Sequence, residues 1–268
     1  MIEGRNMQIT NADPIVDSDD DNGESDQQFW KRRSTEYNKL DWANRSNYLD
    51  AFFAACEFKS SDRLLDIGAG TGIIALHAAE HVKSVTGIDI SPDMMDVAKN
   101  ESASNVEFKL GDVRALEFEP ESFEKATARM VFHHVLTDAE IGIQNVWRVL
   151  SPGGMLVLSE GVPPIRELGD WYTEMFALKE DRRTFFEEDL TALMSAAPFA
   201  KIESGIHMVH QASVRNWLEN GAVSDENFKK IWEMHQGLDA EGKAAYNMTE
   251  TDDDILIDMK FVIVRAIK

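Results

Sequence analysis

The sequence predicts an α/β fold in which the strands of a mostly parallel β-sheet alternate with helices. Three observations support this prediction. The apolar run 64–67 leads into the glycine turn 68–72, and a helical pattern follows it. A second apolar strand, residues 84–88, ends on Asp89, about 20 residues after the first glycine. Further apolar strands then recur between helical patterns, as expected for βαβ units.

The glycine turn indicates the kind of ligand. Strand, glycine turn, helix, second strand and terminal acid follow one another in the order of a nucleotide-binding βαβ unit. Glycines allow the backbone to approach a ligand closely, and the carboxylate of Asp89 is placed to accept hydrogen bonds from ribose hydroxyls. The turn reads G-x-G-x-G after the acid Asp66, and Ile73 stands where a dinucleotide fingerprint requires its third glycine. The pattern therefore disfavours a nicotinamide dinucleotide.

Three later segments continue the alternation of strands and helices. Residues 106–110 form a short alternating strand that ends just before Asp112, and residues 123–132 form a further strand candidate. Residues 148–158 combine a helix end, a Pro-Gly-Gly turn and an apolar strand. Open α/β sheets bind ligands at the carboxyl ends of their strands, so the glycine turn, the two acids and the end of the fourth strand are predicted to surround one crevice.

Taken together, these elements resemble class I S-adenosylmethionine-dependent methyltransferases. The resemblance covers roughly residues 60–160 and rests on the glycine turn after Asp66, the acids Asp89 and Asp112, and residues 148–158, which are similar to the family's LKPGGxLxL element. It implies a Rossmann-like sheet of seven strands, mostly parallel with an antiparallel last strand, together with a helical cap. It also implies S-adenosyl-L-methionine as cofactor, whose ammonium group gains from a nearby carboxylate.

The resemblance carries specific roles onto this sequence. Asp89 is expected to bind the ribose hydroxyls, and Asp112 the adenine amino group. The complete set of residues implied in cofactor binding is Asp66, Gly68, Ala69, Gly70, Asp89, Ile90, Asp112, Val113 and Arg129.

The chain outside this segment divides into an arm, a lid and a cap. Residues 1–28 are expected to combine a tag remnant, since residues 2–5 spell a factor Xa site, with a disordered acidic arm. Residues 29–268 are expected to form a single domain. Its N-terminal helices, residues 29–58, are expected to form a lid, with Tyr37 and Trp42 as candidate lid residues. Helical segments 161–186 and 214–252 are expected to form a cap. Late strands are predicted at 201–211 and 255–267. Four aromatic residues would line a capped apolar pocket: Trp171, Tyr172, Phe176 and Trp217.

Composition limits the partners and the cofactors. Acidic residues outnumber basic ones 48 to 27, for a net charge of −21, which disfavours nucleic-acid substrates because phosphates must be neutralised by cations. The longest apolar runs are too short to cross a membrane. The polar start lacks the pattern of a signal peptide, so a cytoplasmic protein is expected. The single cysteine, Cys56, excludes an internal disulfide. His, Asp and Glu residues do not recur at metal-ligand spacing, so the sequence predicts no metal.

The segment after the fourth strand separates the methyltransferase subfamilies. Residues 128–135 read ARMVFHHV. They lack the Asn/Asp-Pro-Pro-Tyr motif of amide N-methyltransferases, the Pro-Cys nucleophile of cytosine-5 enzymes and the acidic metal ligands of catechol-type enzymes. What remains resembles the small-molecule group that includes quinone-biosynthesis and phosphoethanolamine methyltransferases.

His133 and His134 are the candidates for a general base, because a neutral imidazole near working pH can accept a proton from the acceptor. Adjacent histidines do not easily face one pocket together, so one of them is expected to be structural. Tyr37 is the candidate partner of the catalytic histidine by resemblance to phosphoethanolamine methyltransferases. Glu160 is a further carboxylate for which a cap or an ion pair is the favoured role.

The sequence therefore predicts an enzyme that transfers a methyl group from S-adenosylmethionine to a small organic acceptor in a capped pocket. Two alternatives stay open. One is a protein or RNA methyltransferase, against which the acidic balance and the cap both argue. The other is a protein that binds S-adenosylmethionine without catalysing methyl transfer.

Overall fold

The computed structural model describes residues 26–100 and 103–268. The expected tag remnant and all but the last three residues of the expected acidic arm lie outside the described residues. Within them, the helices are α1 Asp26–Glu36, α2 Ser46–Cys56, α3 Ile73–Ala78, α4 Pro92–Asn100, α5 Ala139–Val149, α6 Gly169–Ala177, α7 Glu187–Met194, α8 Val214–Glu219, α9 Asp225–Gln236 and α10 Ala240–Ala245. The strands are β1 Arg63–Ile67, β2 Ser84–Asp89, β3 Val106–Leu110, β4 Phe123–Arg129, β5 Leu150–Val162, β6 Lys201–Ser213, β7 Thr249–Glu250 and β8 Ile255–Ile267.

The strands form one sheet in the order β3-β2-β1-β4-β5-β8-β6. The first five of these strands are parallel, and β8 runs antiparallel to both β5 and β6. The two-residue strand β7 pairs with β8 at the side. The prediction of a mostly parallel seven-stranded sheet with an antiparallel last strand is confirmed, and β7 is the small addition to it. Since β1 lies between β2 and β4, the carboxyl ends of these three strands meet at one edge.

Strand β4 ends earlier than the sequence predicted. The expected strand ran to Phe132, whereas β4 stops at Arg129 and a 3₁₀ turn occupies Phe132–His134. Met130 adopts a left-handed φ of 60°, which ends the extended backbone. The next backbone N–H groups then have no strand partner, and the carboxylate of Glu160 accepts from them instead. Tertiary contacts of this kind cannot be read from local hydrophobicity.

Apolar side chains fill both faces of the sheet and a third layer above its carboxyl edge. Helices α5 and α7 pack on one face, and α2, α3 and α4 pack on the other. The third layer is an apolar cluster drawn from the N-terminal segment, from α6 and from the segment between β6 and β8. Segments that are far apart in the sequence therefore cover the edge at which the strand ends meet.

The N-terminal segment, residues 30–45, is fastened at both ends of that edge. Asn38 lies over the glycine turn, where the hydroxyl of Thr71 donates to its side-chain oxygen over 2.6 Å. The backbone N–H of Asp41 donates to the side chain of Asn216 in α8 over 2.8 Å, and Arg32 donates to the carbonyl of Ala222 over 2.7 Å. Among the described helices, none combines the length and the apolar character that a membrane crossing requires.

Candidate active site

A crevice of about 1020 Å³ opens where β1, β2 and β4 end. All nine residues that the sequence implied in cofactor binding line this crevice. Tyr37 and His134 line it as well, whereas His133 does not. The glycine turn, the acids after β2 and β3 and the end of β4 are thus brought together from segments that span more than 60 residues of sequence.

The glycine turn needs its glycines for two different reasons. Gly68 and Gly70 both have left-handed backbones, with φ of 60° and 55°. A Cβ on Gly68 would lie 2.4 Å from Cγ2 of Val131, so this glycine lets the turn pack against the end of β4. A Cβ on Gly70 would meet no protein atom closer than 3.9 Å. The space beside Gly70 belongs to the crevice and leaves room for a ligand to approach the backbone.

Asp89 is held rigidly at the end of β2. Its Oδ2 accepts from the backbone N–H of Gly70 over 2.8 Å, and its Oδ1 accepts from that of Ser91 over 2.9 Å. Each carboxylate oxygen keeps lone-pair capacity for a second donor. Burial raises the pKa of this carboxyl, and the hydrogen bonds from backbone N–H groups, which lower it, do not fully offset that effect. The exposed side chain of Ile90 adds an apolar surface beside it.

Only one of the two oxygens of the buried Asp66 carboxylate has a hydrogen-bond partner among the described residues. Its Oδ1 accepts from the hydroxyl of Thr127 over 2.8 Å, while Oδ2 has no hydrogen-bond partner among the described residues. Burial raises the pKa of Asp66 to about 7. An orphaned carboxylate oxygen on the wall of a crevice is suited to a ligand that carries a hydrogen-bond donor or a positive charge, such as an ammonium group.

Asp112 has a partner that the sequence did not reveal. Its carboxylate caps the 3₁₀ turn that begins at Val113 and accepts from the guanidinium of Arg114 at distances of 2.6 to 3.1 Å. Burial opposes ionisation of Asp112, but the hydrogen bonds from Arg114 outweigh it and lower the pKa. The carboxylate is therefore ionised and fixed in orientation at the crevice wall.

The two adjacent histidines have different surroundings. His134 lies in the crevice wall, where its ring meets the edge of Trp30 at 4.9 Å between centroids. Burial, and then the neighbouring His133, hold the pKa of His134 well below its usual value. The imidazole of His134 is therefore neutral at pH 7 and has a nitrogen that can accept a proton, although its basicity is reduced.

His133 is withdrawn from both solvent and crevice. Its Nδ1 lies 2.6 Å from Oε2 of Glu160, and the second carboxylate oxygen accepts from the backbone N–H groups of Val131, Phe132 and His133 over 3.0, 2.7 and 3.3 Å. Burial raises the pKa of Glu160 to about 7. Glu160 thus caps the turn after β4 and fixes the ring of His133, so that the turn presents His134 to the crevice.

A second cavity of about 590 Å³ lies under the cap. It shares Arg33 and Met130 with the crevice, so the two spaces adjoin at the end of β4. Its apolar wall includes Trp42, Tyr172, Met175, Phe176, Trp217, Tyr246 and Phe261. Three of the four aromatic residues expected to line a capped pocket are among these. Trp171 is absent from this wall and packs edge-on against His235, at 5.1 Å between centroids.

A cluster of buried charges closes one side of this cavity, and sequence reasoning missed it. The carboxylate of Glu180 lies 2.5 Å from Arg33, 2.5 Å from Lys179 and 3.5 Å from Arg182. Burial opposes its ionisation, but Lys179 and Arg33 outweigh that effect and hold the pKa of Glu180 well below its usual value. Burial and the charge of Arg33 lower the pKa of Lys179 to about 7. The only sequence signal was the charged run 179–183, which resembles a solvated surface segment.

The same region contains one group with the composition of a metal site. Ligand atoms of His133, His134 and Glu180 lie within 4.8 Å of one another. The sequence spacing did not reveal this group, because His134 and Glu180 are 46 positions apart. Glu180 is already engaged by three cationic side chains, and their positive charge opposes the entry of a metal cation.

Comparison with known proteins identifies the family of the central segment. Residues 65–158 match a family model described as a methyltransferase domain. Over 110 residues, the chain is 36% identical to the demethylmenaquinone methyltransferase of Deinococcus radiodurans, an alignment that covers 39% of this chain and 45% of that protein. Against this relative and other demethylmenaquinone methyltransferases, the chain spans about half of the relative's length.

Two further similarities extend over most of the chain. The methyltransferase YcgJ of Bacillus subtilis, which is itself uncharacterised, is 25% identical over 231 residues, covering 82% of this chain and 90% of YcgJ. Its crystal structure superposes with a TM-score of 0.71 and covers 82% of this chain. A phosphoethanolamine N-methyltransferase of Haemonchus contortus superposes with a TM-score of 0.63 at 20% identity, covering 90% of this chain and 59% of that one. These superpositions confirm the fold.

Proposed function

We propose that this chain, which belongs to the class I S-adenosylmethionine-dependent methyltransferases, transfers a methyl group to a small organic acceptor held in the cavity under the cap. The observation that carries the proposal is the junction of two spaces. The residues that the resemblance implies in cofactor binding line the crevice, and the capped cavity adjoins it at Met130 and Arg33. A methyl donor and its acceptor need such adjoining sites.

The crevice residues have the chemistry that S-adenosylmethionine requires. We assign the half-satisfied carboxylate of Asp66 to the ammonium group, the fixed carboxylate of Asp89 to the ribose hydroxyls and Asp112 to the adenine amino group. Ile90 and Val113 supply apolar contacts for the base, and Arg129 borders the site from the end of β4. When bound, the cofactor supplies a methyl group on a positively charged sulfur that is readily displaced.

The protein contributes mainly geometry and the exclusion of water. Holding two reactants in near-attack geometry can supply roughly 7–11 kcal/mol of the barrier reduction. The cap aromatic residues and the N-terminal segment partly enclose the acceptor cavity, and exclusion of water there favours a reaction in which positive charge on sulfur is lost. An acceptor cavity partly enclosed by a cap supports a small molecule rather than a protein or RNA segment as acceptor.

We assign the general base, where the acceptor needs one, to His134. Its neutral imidazole lies in the wall of the crevice together with Tyr37, its candidate partner. His133 acts as a positioning residue, since its ring is bonded to Glu160 and does not line either cavity. An acceptor that is already a thiolate, a free amine or an enolate needs no base.

The proposal is tested with methyl-labelled S-adenosylmethionine and pooled small metabolites from cells. We expect the label to appear in a small-molecule product, and we expect S-adenosylhomocysteine to raise the melting temperature while NAD does not. Label found only in protein or RNA would favour the macromolecular alternative. Binding of S-adenosylhomocysteine without transfer to any fraction would favour a non-catalytic protein. An equal response to NAD would contradict the choice of cofactor.

A further inference from the structure

The cavity under the cap combines an aromatic wall with an uncommon concentration of buried positive charge. The side chains of Arg33, Lys179 and Arg182 are 8%, 1% and 2% exposed. Two buried carboxylates lie in the same region, those of Glu180 and Glu160, which are 3% and 0% exposed. Arg182 and Lys179 line the cavity beside Glu180, and a buried guanidinium is costly unless acceptors fill its hydrogen-bonding positions.

Among these cations, Arg182 is the one whose protein partners leave most of its hydrogen-bond donors without a short contact. Its guanidinium reaches Oε1 of Glu180 only at 3.5 Å and the carbonyl oxygen of Gly161 only at 3.4 Å. Its Nε has no hydrogen-bond partner among the described residues. The shorter 2.5 Å contacts of Glu180 are made by Arg33 and Lys179, so Glu180 does not fully compensate Arg182. A guanidinium buried in a cavity wall with its fork largely unfilled is suited to an incoming oxyanion.

The surroundings of Arg182 also define the body of the ligand. The guanidinium lies 4.0 Å above the ring of Phe176 and 5.7 Å from that of Tyr172. The ammonium of Lys179 lies 5.9 Å from the ring of Trp217 on the same cavity wall. A molecule that reaches these cations must therefore bury an apolar body among aromatic rings.

We infer that the methyl acceptor is a monocarboxylate with an apolar, ring-sized body, bound through its carboxylate to Arg182 and Lys179. A carboxylate matches the planar fork of a guanidinium, because its two oxygens can accept two parallel N–H donors. A phosphate monoester would bring a second negative charge next to the buried carboxylate of Glu180. This inference rests on the proposed function, because it names the acceptor of that same site.

The test uses the full chain saturated with S-adenosylhomocysteine. Calorimetry compares 3-phenylpropanoate and 4-phenylbutanoate with the corresponding amides, which are neutral and of nearly the same shape, and with phenyl phosphate. We expect at least one acid to bind about thirtyfold or more tightly than its amide, the scale expected when a buried charge loses its partner. Acids and amides of equal affinity would overturn the inference, and so would tighter binding of phenyl phosphate than of both acids.

A matched pair of variants assigns the effect to one guanidinium. Arg182→Gln should remove most of the preference for the acid, whereas Arg183→Gln should retain it, because Arg183 packs over Phe185 and lines neither cavity. Retained preference in Arg182→Gln would overturn the assignment. If Arg182→Gln does not fold, Lys179→Gln gives the same readout. Loss of S-adenosylhomocysteine binding by the unmodified chain would instead contradict the proposed function.

Discussion

His133 and Glu160 form a closed pair: Nδ1 of the imidazole lies 2.6 Å from Oε2 of the carboxylate, with side-chain exposures of 1% and 0%. With the carboxylate ionised, the Nδ1–H donates and the Nε2 of His133 is left as the acceptor. That nitrogen has no hydrogen-bond partner among the described residues. The pair therefore holds the turn after β4 in place, and this turn carries His134 in the crevice wall.

The first prediction concerns this pair and the stability of the protein. Glu160→Ala should lower the free energy of unfolding by at least about 1–3 kcal/mol, because three buried backbone N–H groups and His133 lose their acceptor. Glu160→Gln keeps one acceptor oxygen and should lose less. Urea denaturation measures both, with Glu140→Ala on the exposed face of α5 as the control. A Glu160→Ala variant as stable as the control would contradict the capping role.

The second prediction concerns the pH dependence of cofactor binding. Burial raises the pKa of Asp66 to about 7 in the free protein, and an ammonium group on the ligand favours the ionised form. Affinity for S-adenosylhomocysteine should therefore be full above pH 7 and fall as the pH decreases below it. Asp66→Asn should bind more weakly and flatten this dependence, which separates Asp66 from the neighbouring Asp89. Calorimetry from pH 5.5 to 8.5 decides, and an unchanged slope in the variant would exclude Asp66 as the ammonium site.

The same pKa has a consequence for stability with the opposite sign. An acid whose folded pKa is raised binds its proton more tightly in the folded state, so its contribution to stability is lost as the pH rises from the unfolded value of about 4 to about 7. The Asp66→Asn protein without ligand should therefore gain stability relative to the parent as the pH rises through this window.

The third prediction concerns the ribose contact. Asp89→Ala should weaken S-adenosylhomocysteine binding by about 1–3 kcal/mol, because the ribose donors lose a buried acceptor and Gly70 loses the bond that orders the turn. Asp96→Ala, exposed on the next helix, is the matched control and should bind normally. Equal affinity in the two variants would reject the assignment of Asp89.

The fourth prediction concerns the base. For an acceptor that must lose a proton, His134→Ala should reduce kcat by about 10²–10⁴-fold while cofactor affinity is preserved. His133→Ala should instead reduce stability and should affect kcat less, since His133 lines neither cavity. A His134→Ala enzyme with full kcat across the pH range would leave proximity and the exclusion of water as the whole mechanism.

The fifth prediction concerns the cap. Trp217 is 6% exposed, packs edge-on against Phe176 at 5.4 Å and lines the second cavity. Trp217→Ala should raise KM for the acceptor while the affinity for S-adenosylhomocysteine stays unchanged. Trp147→Ala is the control, because Trp147 packs against the core between α5 and the sheet and lines neither cavity. An unchanged KM would exclude the cap segment 214–252 from acceptor binding.

The sequence predicted which residues would come together in the crevice, because local rules govern their placement. A glycine turn after a strand, and acids at strand ends, have meaning within a few residues of sequence, and topology then brings them together. The capped cavity was predicted only as a set of aromatic residues. The buried cluster around Glu180 was missed, because residues 179–183 are as charged as an exposed helix end. Only the tertiary arrangement, which pairs Glu180 with Arg33 from the N-terminal segment, reveals that these charges are inside.

The fastening of residues 30–45 also bears on the rate of turnover. Asn38 holds this segment to the glycine turn beside the crevice. Asp41 holds it to Asn216 in α8, and Arg32 holds it to Ala222. The N-terminal segment thus covers both cavities, and its residue Arg33 lines both of them. Displacement of the N-terminal segment would expose both sites at once, so the entry and release of the two ligands would be coupled. Where such an opening is slower than the displacement itself, product departure rather than chemistry sets kcat.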